Sequence, residues 1–387
     1  MISTVNDIIK SIKNELIELN EYIYENPELG YEEFKSSNAH LELLEKHGFK
    51  VEKGYMDMKT AFRAEFDSGK EGLAIAYLSE YDALPGIGHG CGHNLLGAVS
   101  TGAGIVLSKI ISELGGKVVV FGTPAEETSG AKVVMADNGA FHDIDIAMAV
   151  HPSYKHFKSG LSLALQAIEF TFKGKSAHAA ESPESGINAL DAAINTFNNI
   201  NALREHIKTD ARIHGIIKDG GKAANIVPGL AVAQFYVRAA TKSYLEELVE
   251  KVKNCAKGAA LASGVKLLIT HYEASYDNLV TNNILSELYT NKLKDMGVKE
   301  IHDPKKSYGS LDMGNVSHVC PSIHPYFCIS DEKIIAHTKE FADATITDRA
   351  YKGMTEAIGA LVLTAIDIMK DSNLFNEIRE EFNNTKK

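Results

Sequence analysis

Nine consecutive residues carry more chemistry than a core segment or an ordinary turn needs: Gly86-Ile87-Gly88-His89-Gly90-Cys91-Gly92-His93-Asn94. The run sets a thiol, two imidazoles and an amide among four glycines. Glycine lets the backbone turn sharply and brings side chains together without steric cost. Cys91 and His93, two residues apart, are chemically suited to be a pair of metal ligands, because thiolate and imidazole bind zinc and other transition metals. A core segment would be rich in Val, Ile and Leu instead.

Other candidates are scattered along the chain. Glu126 and Glu127 follow Pro124-Ala125. The ordinary reading of adjacent glutamates is a solvated helix start. The chemical reading divides the labour: one carboxylate holds a metal while its neighbour acts as general base on water. His151 closes a very apolar run, where a satisfied core histidine is the competing explanation. His178 lies among Ser and Ala in Gly174-Lys175-Ser176-Ala177-His178-Ala179-Ala180. Such small neighbours permit close approach of a ligand or another chain, with a plain surface loop as the alternative. His337 stands out only beside the others, and each short motif alone is a weak signal.

The elements that must position these residues alternate. Val5, Ile8, Ile12, Leu16, Leu19 and Ile23 recur at helical spacing, and a second helical segment runs to about His47. Residues 72–78 and 117–121 read as short buried strands, separated by a helix over 95–114. Residues 143–150 make a third strand. This β-α-β-α-β order predicts an α/β fold with a mainly parallel or mixed sheet. The polar clusters all follow strands, and sites in open α/β sheets form beyond the carboxyl ends of the strands. Near residue 166 the pattern changes. Alternating strands over 168–172, 232–238 and 265–272, with helices over 186–207 and 243–261, predict an inserted α+β two-layer domain. Helices over 282–296 and 353–369 then return to the first pattern. The expected boundaries are 1–166 and 278–387 for a discontinuous catalytic domain and 167–277 for the insertion.

Composition is that of a globular chain, 44% apolar and 24% charged over 387 residues. The net charge of −11 argues against nucleic acid or an anionic membrane surface as partner. No apolar run is long enough to span a bilayer, and no signal-peptide pattern opens the chain. Four scattered cysteines (Cys91, Cys255, Cys320, Cys328) suit a reduced, cytoplasmic protein better than a disulfide scaffold.

The segments YDALPG, GHGCGHNLLG, TPAEE, VHP, GKSAHAAESPESGINALDA, NIVPG with FYVRA, GSLDMGNVSHVCPSIHP and HTKEF occur in this order. Together they resemble the di-metal aminoacylase and amidohydrolase family of metallopeptidases, over nearly the whole chain. The nearest branch contains aminobenzoyl-glutamate hydrolase subunits and aminoacylase-like dipeptidases. The resemblance implies two divalent ions per chain, held by Cys91, His93, Glu127, His151 and His337. It implies Glu126 as general base and His178, on the inserted lid, as the oxyanion donor. It also implies Asn225 and Arg238 as the lid residues that grip a substrate carboxylate, a task that suits the planar fork of Arg. A homodimer formed through the lid is expected with it. Many members carry His-x-Asp before Pro85, whereas this chain has Glu80-Tyr81-Asp82. Glu80 is therefore not assigned as a ligand, Asp82 is read as orienting one, and Cys91 makes up the set.

The implied activity is hydrolysis of the amide bond in a small N-acyl amino acid or dipeptide with a free carboxylate. Divalent ions polarise the amide and lower the pKa of water from about 15.7 toward about 7. Zinc, manganese, cobalt and nickel all accept these ligands. Two other readings compete. In a cysteine hydrolase Cys91 would be the nucleophile and His93 its base, but two residues apart in a glycine turn they have poor geometry and the carboxylates are idle. The chain could also be a non-catalytic or partner-requiring subunit of a heteromeric hydrolase. The segment 307–325 is expected to line the pocket.

Overall fold

The computed structural model describes residues 1–305 and 308–385; Ser307, the first residue of the expected pocket segment, lies outside them. The chain divides into two compact units. One comprises Met1–Leu161, Leu279–Ser307 and Asp312–Lys387, the other Ser162–Asn278 and Tyr308–Leu311.

The first unit is built on a six-stranded mixed sheet in the order Lys50–Lys53, Phe62–Asp67, Lys117–Gly122, Ala74–Ser79, Ile146–Met148, Ser322–Ile323. The last four run parallel to one another, so their carboxyl ends share one edge, and Phe62–Asp67 is antiparallel to Lys117–Gly122. Ala74–Ser79 is buried at every residue, as a strand covered on both faces must be. Glu80, Pro124 and His324 follow three of these strand ends within two residues. His151 begins a separate parallel pair with Tyr326–Cys328.

The helix His93–Ser108 is buried along its whole length and packs between the sheet and the helices Ile2–Glu25 and Asp348–Lys370. Gly97 makes that approach possible, since a Cβ there would stand 2.5 Å from the Glu80 carbonyl oxygen. The Ile2–Glu25 helix presents one stripe, Val5, Ile9, Ile12, Leu16, Leu19 and Ile23, to the core. Each such side chain contributes about 1.5–3 kcal/mol of burial.

The second unit is a four-stranded antiparallel sheet in the order Lys266–Thr270, Ala164–Lys173, Leu230–Ala239, Arg212–Asp219, with the helices Ala189–Leu203 and Lys242–Ser263. Ala231, Ala233, Phe235, Val237 and Ala239 point alternately into its own core, the period-2 pattern of a half-covered sheet.

Three expected elements are shorter than their patterns. The helix over 95–114 stops at Ser108 and resumes as Ile111–Leu114. The strand over 143–150 reduces to Ile146–Met148, because pairing partners exist only there. The helix over 186–207 begins at Ala189, where the Asn188 side chain accepts the N–H groups of Leu190 and Asp191, and tightens into a 3₁₀ turn at Arg204–His206. The strands Lys50–Lys53, Phe62–Asp67 and Arg212–Asp219 and the helix Ser372–Thr385 had no sequence expectation.

Candidate metal centre

The glycine-rich run folds so that Gly92 takes a left-handed conformation (φ 82°) at the start of the His93–Ser108 helix. A Cβ there would also lie 2.5 Å from the Pro152 ring, so glycine is required on both counts. This closeness brings Cys91 to His151: Sγ and Nε2 are 3.5 Å apart. His151 Nδ1 is 2.8 Å from the Pro152 carbonyl and donates to it, which leaves Nε2 as the lone-pair nitrogen facing Cys91.

His93 is oriented in the same way. Its Nδ1 donates to Asp82 Oδ1 at 2.8 Å, and its Nε2 is buried without a hydrogen-bond partner. Glu80 Oε2, also buried and unpartnered, lies 3.2 Å from that nitrogen; Glu126 lies 4.0 Å from it. Asp82 uses its second oxygen to accept the backbone N–H of Glu127 at 2.9 Å. One carboxylate thus fixes both His93 and the Glu126-Glu127 loop. Burial opposes charge on His93, yet Asp82, Cys91 and Glu80 hold its pKa well above the usual histidine range.

Two ordinary residues adopt left-handed backbone beside these groups: Ala125 (φ 62°) and His337 (φ 67°). Such strain persists only when the surroundings over-determine it. Ala125 N–H is held by Glu33 Oε1 at 2.8 Å, and His337 N–H by the Gly90 carbonyl at 2.8 Å. The second tie carries the His337 ring to Glu127, with Nε2 3.4 Å from Oε1.

Three overlapping groups result, each with ligand atoms within 4.8 Å of one another: Cys91, His93 and His151; Cys91, Glu127 and His337; His93, Glu126 and Glu127. Ligands at about 2.0–2.3 Å from one ion stand about 2.9–3.7 Å apart. The 3.5 Å Cys91–His151 and 3.4 Å His337–Glu127 separations have that spacing. Glu127 Oε1, like His93 Nε2, is buried without a hydrogen-bond partner. Burial, then Glu80 and Asp312, push Glu126 well above the usual carboxylate range, and burial pushes the Cys91 thiol up. Divalent cations would complete this donor set, and the residues fit them.

Three neighbours have no individual role in the sequence analysis, although Asp312 and His324 fall in the segment 307–325 expected to line the pocket. Lys132 is fully buried between Glu80 (2.8 Å) and Asp312 (2.7 Å), and the His324 ring packs 5.7 Å from that of His151. Only the placement of Lys132 in the apolar run Ala131-Lys132-Val133-Val134-Met135 hinted at a buried charge.

His178, Asn225 and Arg238 lie in the second unit. His178 Nδ1 accepts the N–H of Glu181 at 3.1 Å, which directs Nε2 away from its own turn. The Asn225 carbonyl accepts the N–H of Ala179 at 2.9 Å, so these two candidate residues share one local structure. Arg238 donates to Ser310 Oγ at 3.0 Å.

Comparison with known proteins bears on the family and the fold. A family model described as a peptidase dimerisation domain matches residues 165–263. The chain is 36% identical to a Xaa-Arg dipeptidase of Mus musculus, over 94% of this chain and 88% of the relative. It is 27% identical to one of the p-aminobenzoyl-glutamate hydrolase subunits of Escherichia coli K12, over 97% and 94% of the two chains. A putative aminohydrolase from methicillin-resistant Staphylococcus aureus shares the fold with a TM-score of 0.80, at 21% identity, covering 94% of this chain and 99% of that one. A Bacillus subtilis protein described as a dinuclear metal binding peptidase does so with a TM-score of 0.68, at 19% identity, covering 92% and 99%. No helix among the described residues is long and apolar enough to cross a membrane. With identity to the dipeptidase sustained over nearly its full length, the chain belongs to the M20 family of peptidases and is a hydrolase.

Proposed function

We propose that the protein is a di-metal amidohydrolase that cleaves the amide bond of small N-acyl amino acids or dipeptides bearing a free carboxylate. One observation carries this reading: two groups of ligand atoms share Cys91 and border a third that contains the carboxylate pair Glu126-Glu127. Cys91, His93 and His151 would hold one ion, and Cys91, Glu127 and His337 the other. When bound, the ions supply Lewis acidity toward the amide carbonyl and toward water. Zinc or manganese suits the set best, and cobalt and nickel fit it chemically.

The chain's own residues divide the remaining work. Glu126 takes the proton of the attacking water and returns it to the leaving amine. Asp82 holds His93 in the tautomer that presents Nε2. His178 donates to the developing oxyanion, a contribution typically of about 3–4 kcal/mol, while Asn225 and Arg238 receive the substrate carboxylate. The names of the relatives, a Xaa-Arg dipeptidase and a p-aminobenzoyl-glutamate hydrolase component, support an amide substrate with an amino-acid leaving group. The match to a peptidase dimerisation domain supports a homodimer formed through the second unit. A thiol at the centre suits a reducing, cytoplasmic setting.

The test is amine release from a panel of dipeptides and N-acyl amino acids by purified protein loaded with manganese or zinc. Activity that disappears in Glu126→Gln, with metal content retained, is the expected result. A protein that binds no metal would sink the ligand assignment. A second reading follows from the E. coli relative, which is named as one subunit of its hydrolase: metal-loaded but inactive protein would mark a chain that requires a partner.

A further inference from the structure

Lys305 is a half-buried lysine beside the metal centre with no carboxylate partner among the described residues. Its ammonium sits 3.8 Å from the centre of the Tyr326 ring and 5.0 Å from that of Phe157. The Tyr326 ring in turn packs 5.6 Å from His151 and 5.5 Å from His324. The segment that carries Lys305 is tied down. His302 N–H donates to the His156 carbonyl and Lys158 N–H to the His302 carbonyl, while Phe157 and Tyr326 exchange both backbone bonds. Pro304 packs against Gly160. The ammonium is therefore held on a two-ring aromatic seat, one ring of which, Tyr326, also packs against His151 of the centre.

Burial of a cation without an anion is costly in proportion to the water it loses, and proteins normally supply such a cation with an anion. Other lysines of this unit show the norm: Lys132 has Glu80 and Asp312, and Lys158 has Glu287. Two ions at the adjacent triads would make the surroundings of Lys305 more positive still. Burial already pushes its pKa down to about 8, with the Cys91 sulfur pulling the other way. The ring faces of Tyr326 and Phe157 stabilise a cation but leave its donors unused. We infer that Lys305 is a specificity-determining residue that receives a carboxylate of the bound substrate, so that the enzyme selects substrates placing an anion there and rejects those placing a cation there. The inference rests on the amidohydrolase reading above and adds a substrate contact from the first unit itself.

The carboxylate has two possible sources, the α-carboxylate of the leaving amino acid or an acidic side chain. Kinetics of the metal-loaded full chain on N-acetyl-glycine, N-acetyl-glutamate, N-acetyl-arginine and N-acetyl-glycinamide separate them. Lys305→Met removes the charge and keeps the aliphatic length, so folding should survive. A charge-assisted bond lost from the bound state raises KM about 10- to 100-fold with a smaller change in kcat, and Lys305→Arg recovers part of it. A KM rise on all three free acids, but not on the glycinamide, assigns the α-carboxylate. A rise confined to N-acetyl-glutamate, with N-acetyl-arginine improved, assigns the side chain. KM values within twofold of wild type on every substrate overturn the inference. If wild type hydrolyses none of them, the amidohydrolase reading fails on its own, and calorimetric binding of glutarate to the metal-loaded protein decides Lys305. Binding weakened at least about tenfold by Lys305→Met upholds it; equal binding, or none to wild type, overturns it.

Discussion

The Lys132 ammonium sits 2.8 Å from the Glu80 carboxylate, and both side chains are sealed from solvent. Asp312 completes the chain on the other side of Lys132 at 2.7 Å. Burial opposes charge on Glu80, but Lys132 and then His93 hold its carboxyl down at about 2. Glu80 therefore stays anionic against His93. Removing one partner of such a cluster leaves buried charge uncompensated. Lys132→Met is expected to cost about 3–5 kcal/mol, and the pair Glu80→Gln with Lys132→Met should recover part of that. Urea denaturation of the metal-free proteins checks both; equal stability of Lys132→Met and wild type would refute the argument.

Glu33 gives a prediction in pH. Its two oxygens accept Ala125 N–H at 2.8 Å and Thr60 Oγ1–H at 2.8 Å, and burial raises its pKa from 4.5 to about 7. A carboxyl raised in the folded state contributes stability that is fully present below about 4.5 and is lost as pH climbs through about 7. Gln keeps an acceptor for Ala125 and carries no charge to bury. Glu33→Gln should therefore gain on wild type between pH 5 and pH 8, by at most about 3 kcal/mol from the size of the shift. Denaturant midpoints at the two pH values measure it, and a difference independent of pH would mean that Glu33 is solvated.

Asp82 is the hinge of the site, bound at once to His93 Nδ1 and to Glu127 N–H. Although burial works against it, His93 holds Asp82 below the usual aspartate range. Asp82→Asn keeps the shape and removes the charge, and its amide can present an N–H where His93 needs an acceptor. Metal affinity should fall about 10- to 100-fold, read by competition with a chromogenic chelator. Affinity unchanged within twofold would show that the backbone alone orients His93.

Much of this site is legible in the sequence because the chain obeys a topological rule. The parallel strands Ala74–Ser79, Lys117–Gly122 and Ile146–Met148 end on one edge, and Asp82, Glu126 and His151 lie a few residues beyond them. His337 follows no such strand. Only the resemblance pointed to it, and a left-handed residue tied to Gly90 delivers it to Glu127. Lys132 and Asp312 escaped because a buried ion pair is recognisable only once its partners meet, and these are 180 residues apart. The strand Phe62–Asp67 escaped for a different reason. Arg63 and Glu65 interrupt its apolar residues, and the charges make sense only beside Asp143 and Lys117. The Arg212–Asp219 strand is exposed at all but one residue, so it carries little of the apolar alternation by which strands are read.

Cys91, His93 and Glu127 each belong to two of the three ligand groups, but Cys91 is the member common to the two groups proposed to hold ions, which separates its loss from that of a terminal ligand such as His337. If the sulfur is shared, Cys91→Ala should lower bound metal from two per chain to less than one, whereas His337→Ala should leave one. Loading with cobalt provides an independent readout: sulfur-to-cobalt charge transfer absorbs in the near ultraviolet in wild type and in His337→Ala, and is absent from Cys91→Ala. Turnover should fall by more than the roughly 10- to 100-fold typical of residues that only support a ligand. Two ions retained in Cys91→Ala, with the cobalt spectrum unchanged, would place the shared donor elsewhere, and the carboxylate of Glu127, within 4.8 Å of both His93 and Cys91, would be the next group to test.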